Sequence, residues 1–220
     1  MDEKPKLSGL FSFLEMVMDM AGLNVLFVLF CLPVVTGGAA MTALCAGLRA
    51  MIKKQPCFRT FFKTFAGSFW RSTAAWLLLG IPTGLMAMNV YTIAYYRADG
   101  SMPLLIASIL MTLVLAGILY MIFLFYSRFE CTLLQLFKYS GILAVNHFWR
   151  TLVIAAATCL PLALIPVMES AWFALLPLWV FFYYSIVSVG AIWLMNRPFA
   201  RFARETMGYQ DPKKEDEQDD

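Results

Sequence analysis

Three ionisable side chains fall within apolar stretches of the sequence. Glu15 and Asp19 lie in the first half of the first predicted helix, and Arg49 lies late in the next apolar segment. A charged group at mid-bilayer costs about 2.5–3.5 kcal/mol on the insertion scale, so such groups usually pair or serve transport. If the two segments form a hairpin, Asp19 and Arg49 reach a similar depth, and an ion pair between them is one interpretation. The alternative is that each side chain reaches separately to the interface.

The other reactive residue types form no catalytic or metal-binding pattern. His147 is the single histidine, and no Asp or Glu lies at a ligand spacing from it. The five cysteines show no C-x-x-C spacing, and the P-loop, G-x-S-x-G and H-E-x-x-H motifs do not occur. We therefore predict that the protein is not an enzyme and uses no metal or cofactor.

Composition places these residues in a membrane protein. Of the 220 residues, 61% are hydrophobic and 14% charged, whereas soluble domains carry roughly 45–50% apolar and about 25% charged residues. This excludes a soluble enzyme, a disordered chain, a nucleic-acid-binding module and a disulfide-rich secreted scaffold. No strand-like alternation of about ten residues recurs, so we predict an all-α protein whose first partner is the lipid bilayer.

Charge-free stretches predict the transmembrane spans, each needing roughly 20 apolar residues. The first stretch is longer than one span and contains Pro33-Val34-Val35-Thr36-Gly37-Gly38, which interrupts helical hydrogen bonding. We predict a helical bundle of five to six spans in one domain over residues 1–207. The predicted segments are 10–35, 38–54 (a second span or a re-entrant segment), 72–96, 102–127, 151–168 and 170–196.

The break in the first stretch is a candidate functional element, formed by Pro33, Thr36, Gly37 and Gly38. Broken helices present backbone carbonyls that bind ions or polar solutes when they are buried in protein. The same sequence also makes a plain turn.

Basic residues predict the orientation, because they are retained on the cytoplasmic side. All the basic clusters fall on one face, which we assign to the cytoplasm together with the C-terminus. Six spans place Lys4 and Lys6 inside and five place them outside, so charge favours six. Residues 208–220 are rich in acids and are predicted to form a disordered tail.

Residues 53–71 combine basic and aromatic side chains and predict an amphipathic segment at the inner leaflet. Such a segment either anchors the bundle or docks a partner protein. The candidate contact residues are Lys53, Lys54, Arg59, Lys63, Trp70, Arg71, Trp149 and Arg150.

An internal repeat is a further interpretation. Phe69-Trp70-Arg71-Ser72-Thr73 is similar to His147-Phe148-Trp149-Arg150-Thr151, and Phe62-Lys63 and Phe137-Lys138 precede these two motifs. This pattern predicts two hairpins of the same orientation, or three successive hairpins in a six-helix bundle if the first stretch is split. The alternative is that Trp beside Arg merely follows from the aromatic belt and the positive-inside rule.

One set of motifs resembles a known family. Leu23-Asn24, Leu32-Pro33-Val34-Val35-Thr36-Gly37, Ala39-Ala40, Phe61-Phe62-Lys63 and Phe69-Trp70-Arg71 together resemble the YesL family of small bacterial membrane proteins. The family commonly has a proline shortly after the Thr-Gly, where this chain has Gly38. The resemblance implies a multi-pass protein of the bacterial plasma membrane, associated with carbohydrate uptake, and supplies no catalytic residues.

The sequence therefore leads to two functional expectations. The first is a non-enzymatic accessory or regulatory protein of an ABC-type carbohydrate-uptake transporter, with the permease or the ATPase as its partner. The second is a small oligomeric transporter or channel for a small solute, in which the break at 33–38 lines the path. A homo-oligomer is an expected assembly, and nucleic acid is not an expected partner.

Overall fold

Helices account for the regular structure of the described chain. The computed structural model describes residues 4–96, 102–129, 132–164 and 177–207, and these residues form seven α-helices and no strand. The prediction of an all-α fold is therefore confirmed. The helices are α1 (Lys4–Cys31), α2 (Gly37–Ile52), α3 (Cys57–Tyr96), α4 (Met102–Tyr126), α5 (Leu133–Asn146), α6 (Phe148–Leu164) and α7 (Tyr184–Met207).

The helices give five to six candidate spans, as predicted. Five are long and apolar enough to cross a membrane: Phe13–Cys31, Val34–Ile52, Cys57–Tyr96, Met102–Tyr126 and Trp179–Phe202. A pair bent by 103°, Leu134–Asn146 with Phe148–Pro161, adds a sixth. The first apolar stretch is split into α1 and α2, joined by the 3₁₀ turn Val34–Thr36. The predicted tail 208–220 and residues 165–176 of the last two predicted spans lie outside the described residues.

Six of the helices close a ring. Each of α1, α2, α3, α4, α6 and α7 contacts the next in this order, and α7 returns to α1. Helices α1–α2, α3–α4 and α6–α7 are thus three successive hairpins, and α2 also contacts α4 and α7 across the middle. Nearly all of α2 is buried as a result. Its many small residues permit this position, because helices without bulky side chains approach one another closely.

The outer surface of α3 and α4 is apolar and open. Leu85 and Met88 on α3 and Leu104 on α4 are each more than 60% exposed. An exposed apolar surface of this kind fits lipid tails rather than water. The bundle therefore has the character of a membrane protein, with its few buried polar groups turned inward.

Helix α3 is longer than a bilayer requires. Its 40 residues extend about 60 Å at 1.5 Å per residue, against about 30 Å of hydrocarbon. Its first half runs antiparallel to α2, as the approach of Gly38 to Ser72 and of Gly47 to Cys57 indicates. Most of the basic and aromatic segment 53–71 is thus continuous with the following span and does not form a separate helix.

Candidate functional site

The break between α1 and α2 is a closed turn. The Thr36 amide and hydroxyl both donate to the Pro33 carbonyl at 2.8 Å, and the hydroxyl also donates to the Phe30 carbonyl. The indole of Trp76 on α3 donates to the Val34 carbonyl at 2.8 Å. The carbonyls of Phe30, Pro33 and Val34 at the break are thus bonded to the protein itself.

Gly38 of the predicted break has a packing role. A Cβ atom at this position would lie 2.5 Å from the Ser72 carbonyl oxygen and 2.6 Å from the Cβ of Trp76. Gly37 is less constrained, since its nearest neighbour, the Trp76 ring, would lie 3.5 Å from such an atom. The glycine after the turn thus lets α2 and α3 touch through their backbones.

A set of hydrogen bonds made by Asn24 joins α1 to the start of α7. Asn24 is fully buried and donates its amide to the carbonyls of Trp179 (3.2 Å) and Val180 (2.7 Å). Its Oδ1 accepts from the Ser185 amide at 2.9 Å and from the Ser185 hydroxyl at 3.1 Å. The carbonyls belong to the π-helical turn Trp179–Tyr183, and such turns recur at functional sites because they disturb the helical hydrogen-bond pattern. A lone Asn in an apolar run was the only sequence signal for this contact.

Three helix pairs that join neighbouring hairpins pack in the same way, namely α2 with α3, α4 with α6 and α7 with α1. In each pair, one small residue of the first helix contacts two residues of the second helix, and these two residues are four positions apart. The contacts are Gly38 on α2 with Ser72 and Trp76, Gly117 on α4 with Thr151 and Ala155, and Ser185 on α7 with Met20 and Asn24. These positions give the bundle an approximate threefold arrangement in which α2, α4 and α7 are the inner helices.

Two of the three units also share a sequence repeat. Gly38, Ser72 and Trp76 each precede their counterparts Gly117, Thr151 and Ala155 by 79 positions. The same spacing relates Arg49 to Arg128, Phe69-Trp70-Arg71 to Phe148-Trp149-Arg150, and Pro82 to Pro161. The repeating unit is therefore α2–α3 and α4–α6, not the α3–α4 and α6–α7 hairpins that the motifs suggested. In this register the counterpart of Phe137-Lys138 is Phe58-Arg59 rather than Phe62-Lys63.

Polar residues meet near the end of α2, just after the end of α4 and beside the middle of α7. Arg49, Arg128 and Asn196 each lie 11 positions after the small residue of their own inner helix. Arg128 donates from Nη1 to the Asn196 Oδ1 at 3.4 Å and lies over the rings of Phe129 (5.6 Å) and Phe199 (5.8 Å). We call this part of the bundle, defined by Arg49, Arg128 and Asn196, the basic end.

Arg49 enters this end from α2. Its Nη1 is buried and has no hydrogen-bond partner among the residues that the structure describes. The thiol of Cys45 and the guanidinium of Arg128 lie near it. Asp19 instead lies beside the Cys57 thiol at the start of α3. The structure does not bring Asp19 and Arg49 into the ion pair considered above, because α2 directs Arg49 towards α4.

A polar contact among the inner helices lies deeper than Arg49. The Tyr120 hydroxyl on α4 donates to the Ser188 hydroxyl on α7 at 2.9 Å, and the Cys45 thiol on α2 lies beside both. All three residues are buried. Neither Tyr120 nor Ser188 was singled out in the sequence, although polar residues within apolar spans are a usual signal of helix contacts.

The candidate contact residues are on the surface. Trp70 is 83% and Trp149 76% exposed, and the remaining six are exposed as well, namely Lys53, Lys54, Arg59, Lys63, Arg71 and Arg150. By contrast, Phe61 is fully buried beside Phe30 and Phe65. The first half of α3 is therefore amphipathic, as predicted.

Its exposed residues share one side of the helix. Arg59, Phe62, Lys63 and Trp70 recur at spacings of three, four and seven positions, which place them on a single stripe. We call these four residues the basic–aromatic face.

Comparison with known proteins gives one match. No curated protein and no solved structure matches the chain. Residues 20–90, about a third of the chain, contain Asn24, the closed turn and the basic–aromatic face. This segment matches the model of the family described as "Protein of unknown function, DUF624", the family that includes YesL-like proteins.

Proposed function

We propose that this chain is a YesL-like, non-enzymatic protein of the bacterial plasma membrane that binds and regulates an ABC-type carbohydrate-uptake transporter. The observation that carries the proposal is the basic–aromatic face of α3. Its tryptophan and its cations are exposed, while the opposite side of the same helix is filled by Phe61. An exposed row of basic and aromatic side chains is a surface suited to binding a partner.

The length of α3 supports a contact at the membrane surface. A helix of about 60 Å is longer than the hydrocarbon, and its first turns carry Arg59 and Lys63. We propose that these first turns extend past the hydrocarbon on the cytoplasmic side, where the C-terminus also lies, in keeping with the retention of positive charge on that side. A permease or an ATPase is then within reach of the face.

The residue types also suit a protein partner. Trp and Arg are enriched among the residues that dominate protein interfaces. Trp70-Arg71 has a repeat-related counterpart in Trp149-Arg150, which is exposed as well. Two such surfaces on one bundle favour a partner protein over a simple anchor.

The closed turn supports this role over that of a channel. A solute path along the break requires free carbonyls, and those of Phe30, Pro33 and Val34 are bonded to Thr36 and Trp76. Binding a solute there would first require breaking these bonds.

Purification from native membranes tests the proposal. The tagged protein is extracted in mild detergent from cells grown on a complex glycan, and co-purifying transporter subunits are quantified. We expect stoichiometric recovery of a sugar-transporter permease or ATPase. The double substitution Lys63→Ala with Trp70→Ala is expected to lower that recovery at least tenfold. The matched control is Tyr95→Ala, which removes another exposed aromatic residue from the far end of α3.

Two results would contradict the accessory role. One is recovery of the protein alone or only with copies of itself. The other is equal loss of the transporter from the Tyr95→Ala control. Solute flux in proteoliposomes that contain only this protein would then be the experiment to perform, since flux is what the channel alternative requires.

A further inference from the structure

We propose that two copies of this chain associate in the membrane along one exposed stripe of α3, where the Asn89 side chains of the two copies hydrogen-bond to each other. The stripe lies in the second half of α3, beyond the basic–aromatic face, so the proposal does not depend on the transporter partner. We call it the Asn89 stripe. Its residues are Leu78, Pro82, Leu85, Asn89, Thr92 and Tyr96.

The spacing of the Asn89 stripe is that of a contact between two helices. Its residues follow one another at alternating intervals of four and three positions, which is the heptad pattern of side chains that face a partner helix. All of them are exposed, and the exposed fractions of Leu78, Leu85 and Tyr96 are 62%, 63% and 74%. No helix of the described chain therefore covers this side of α3.

Asn89 lies at the depth of the hydrocarbon. It precedes Tyr96, the end of α3, by about 10 Å at 1.5 Å per residue. Tyr95 and Tyr96 are exposed at that end, as is typical of aromatic residues at the membrane–water interface. The exposed amide of Asn89 thus lies among lipid tails, which offer no hydrogen-bond partner.

The side chain of Asn89 has an unused donor. Its Oδ1 accepts from the Ser108 hydroxyl of α4 at 3.2 Å, whereas its Nδ2 donates to none of the residues that the structure describes. Thr92 of the same stripe differs, because its hydroxyl donates to the Met88 carbonyl at 2.9 Å. Polar side chains within apolar spans usually hydrogen-bond across to another helix, so Asn89 requires an acceptor from outside the described bundle.

A second copy supplies that acceptor at the same depth. Copies of one chain share one orientation in the membrane, so two α3 helices that meet through the same stripe run parallel and each residue faces its counterpart. An asparagine side chain has both a donor and an acceptor with two lone pairs. Each Nδ2 can therefore donate to the Oδ1 of the other copy while the bond from Ser108 is kept. One asparagine in a heptad contact fixes the register of two helices in this way.

Energy transfer between labelled chains in lipid vesicles tests the association. Full-length protein labelled with donor or acceptor dye is reconstituted together in vesicles of phosphatidylethanolamine and phosphatidylglycerol, and the protein-to-lipid ratio is varied. We expect energy transfer that saturates as this ratio rises and that fits a dimer. Transfer no greater than that of non-interacting chains at every ratio would overturn the proposal.

Substitutions locate the contact. Two interhelical hydrogen bonds in a membrane together change an association constant by about eightfold, so Asn89→Leu is expected to weaken association by about that factor. Tyr91→Leu is the matched control, because it removes an exposed side chain from the other side of α3 and is expected to associate as the wild type does. Undiminished association of Asn89→Leu, or an equal loss in both variants, would contradict the role of Asn89.

Disulfide cross-linking gives a second measurement that leaves Asn89 in place. Leu85→Cys is expected to form a covalent dimer when the vesicles are treated with a membrane-permeant oxidant, because position 85 faces its counterpart across the contact. Tyr91→Cys is expected to give only the background that the native cysteines give in the wild type. Equal cross-linking of the two variants would overturn the proposed arrangement.

Discussion

The contact between α2 and α3 predicts a specific effect of one methyl group. Gly38→Ala places that methyl 2.5 Å from the Ser72 carbonyl oxygen and 2.6 Å from the Cβ of Trp76. Both obstacles are fixed to the backbone, so no side-chain rotation relieves the clash. The two helices must move apart, and the movement extends to the Trp76 hydrogen bond that closes the turn.

The magnitude follows from two opposing contributions. Overpacking of a well-packed contact costs about 1–3 kcal/mol, and a backbone obstacle places Gly38→Ala near the upper limit. Replacing Gly by Ala within a helix returns about 0.5–1 kcal/mol. The net loss expected for Gly38→Ala is therefore about 2 kcal/mol. At Gly84, where a Cβ would meet nothing within 4 Å, only the gain of about 0.5–1 kcal/mol remains.

The repeat supplies an intermediate case. A Cβ at Gly117 would lie 2.7 Å from Thr151 Cγ2, a side-chain methyl that can move, and 3.3 Å from the Thr151 carbonyl oxygen. Gly117→Ala is thus expected to lose stability, but less than Gly38→Ala. This order tests whether the two repeat-related contacts are built alike.

Thermal unfolding in detergent micelles measures the order. A loss of about 2 kcal/mol corresponds to a fall of about 4–8 °C in the midpoint for a chain of this size. Gly84→Ala is the control and is expected at or slightly above the wild type. If Gly38→Ala were as stable as the wild type, or if Gly84→Ala fell equally, the close packing of α2 on α3 would be refuted.

Three other outcomes are expected. Asn24→Leu leaves the partly buried carbonyls of Trp179 and Val180 without this donor and is expected to lose about 2 kcal/mol in chemical unfolding. Asn89→Leu, at an exposed position with one hydrogen bond from Ser108, is expected to lose under about 1 kcal/mol, and equal losses would contradict the role of Asn24 in joining α1 to the π-helical turn. Trp76→Phe removes the bond to the turn and is expected to speed proteolysis there, which unchanged cleavage would refute. Burial and two neighbouring arginines lower the pKa of His147, which lies between α5 and α6. The unfolded chain therefore binds the proton more readily, and the free energy of unfolding falls as pH drops below about 6.5. His147→Gln is expected to reduce this dependence of stability on pH.

The membrane class and the split of the first stretch followed from local sequence. Proline and paired glycines after an apolar run interrupt a helix whatever surrounds it, and α1 and α2 indeed separate at Pro33. The amphipathic character of α3 followed as well, because residues three and four positions apart share a helix face whatever the tertiary fold.

The contacts of the site join residues that are far apart along the chain, and local sequence patterns do not encode such contacts. Asn24 bonds to carbonyls 155 and 156 positions away, and the direction of Arg49 depends on how α2 rotates within the ring. The repeat was accessible, since Arg49 and Arg128, and Pro82 and Pro161, keep the spacing of the Phe-Trp-Arg motifs. The expected hairpins, α3–α4 and α6–α7, hid the repeat. The repeating unit instead pairs α2 with α3 and α4 with α6, which are connected on the side that carries the basic residues.

Site-specific photo-crosslinking in living cells tests the central claim, that the basic–aromatic face contacts a transporter. A photoreactive amino acid is placed at position 63 on this face or at position 95 at the other end of α3, and crosslinked proteins are identified by mass. We predict that position 63 crosslinks to a permease or an ATPase of a sugar transporter and that position 95 does not. Crosslinks from position 63 to lipid alone, or the same products from both positions, would contradict the claim.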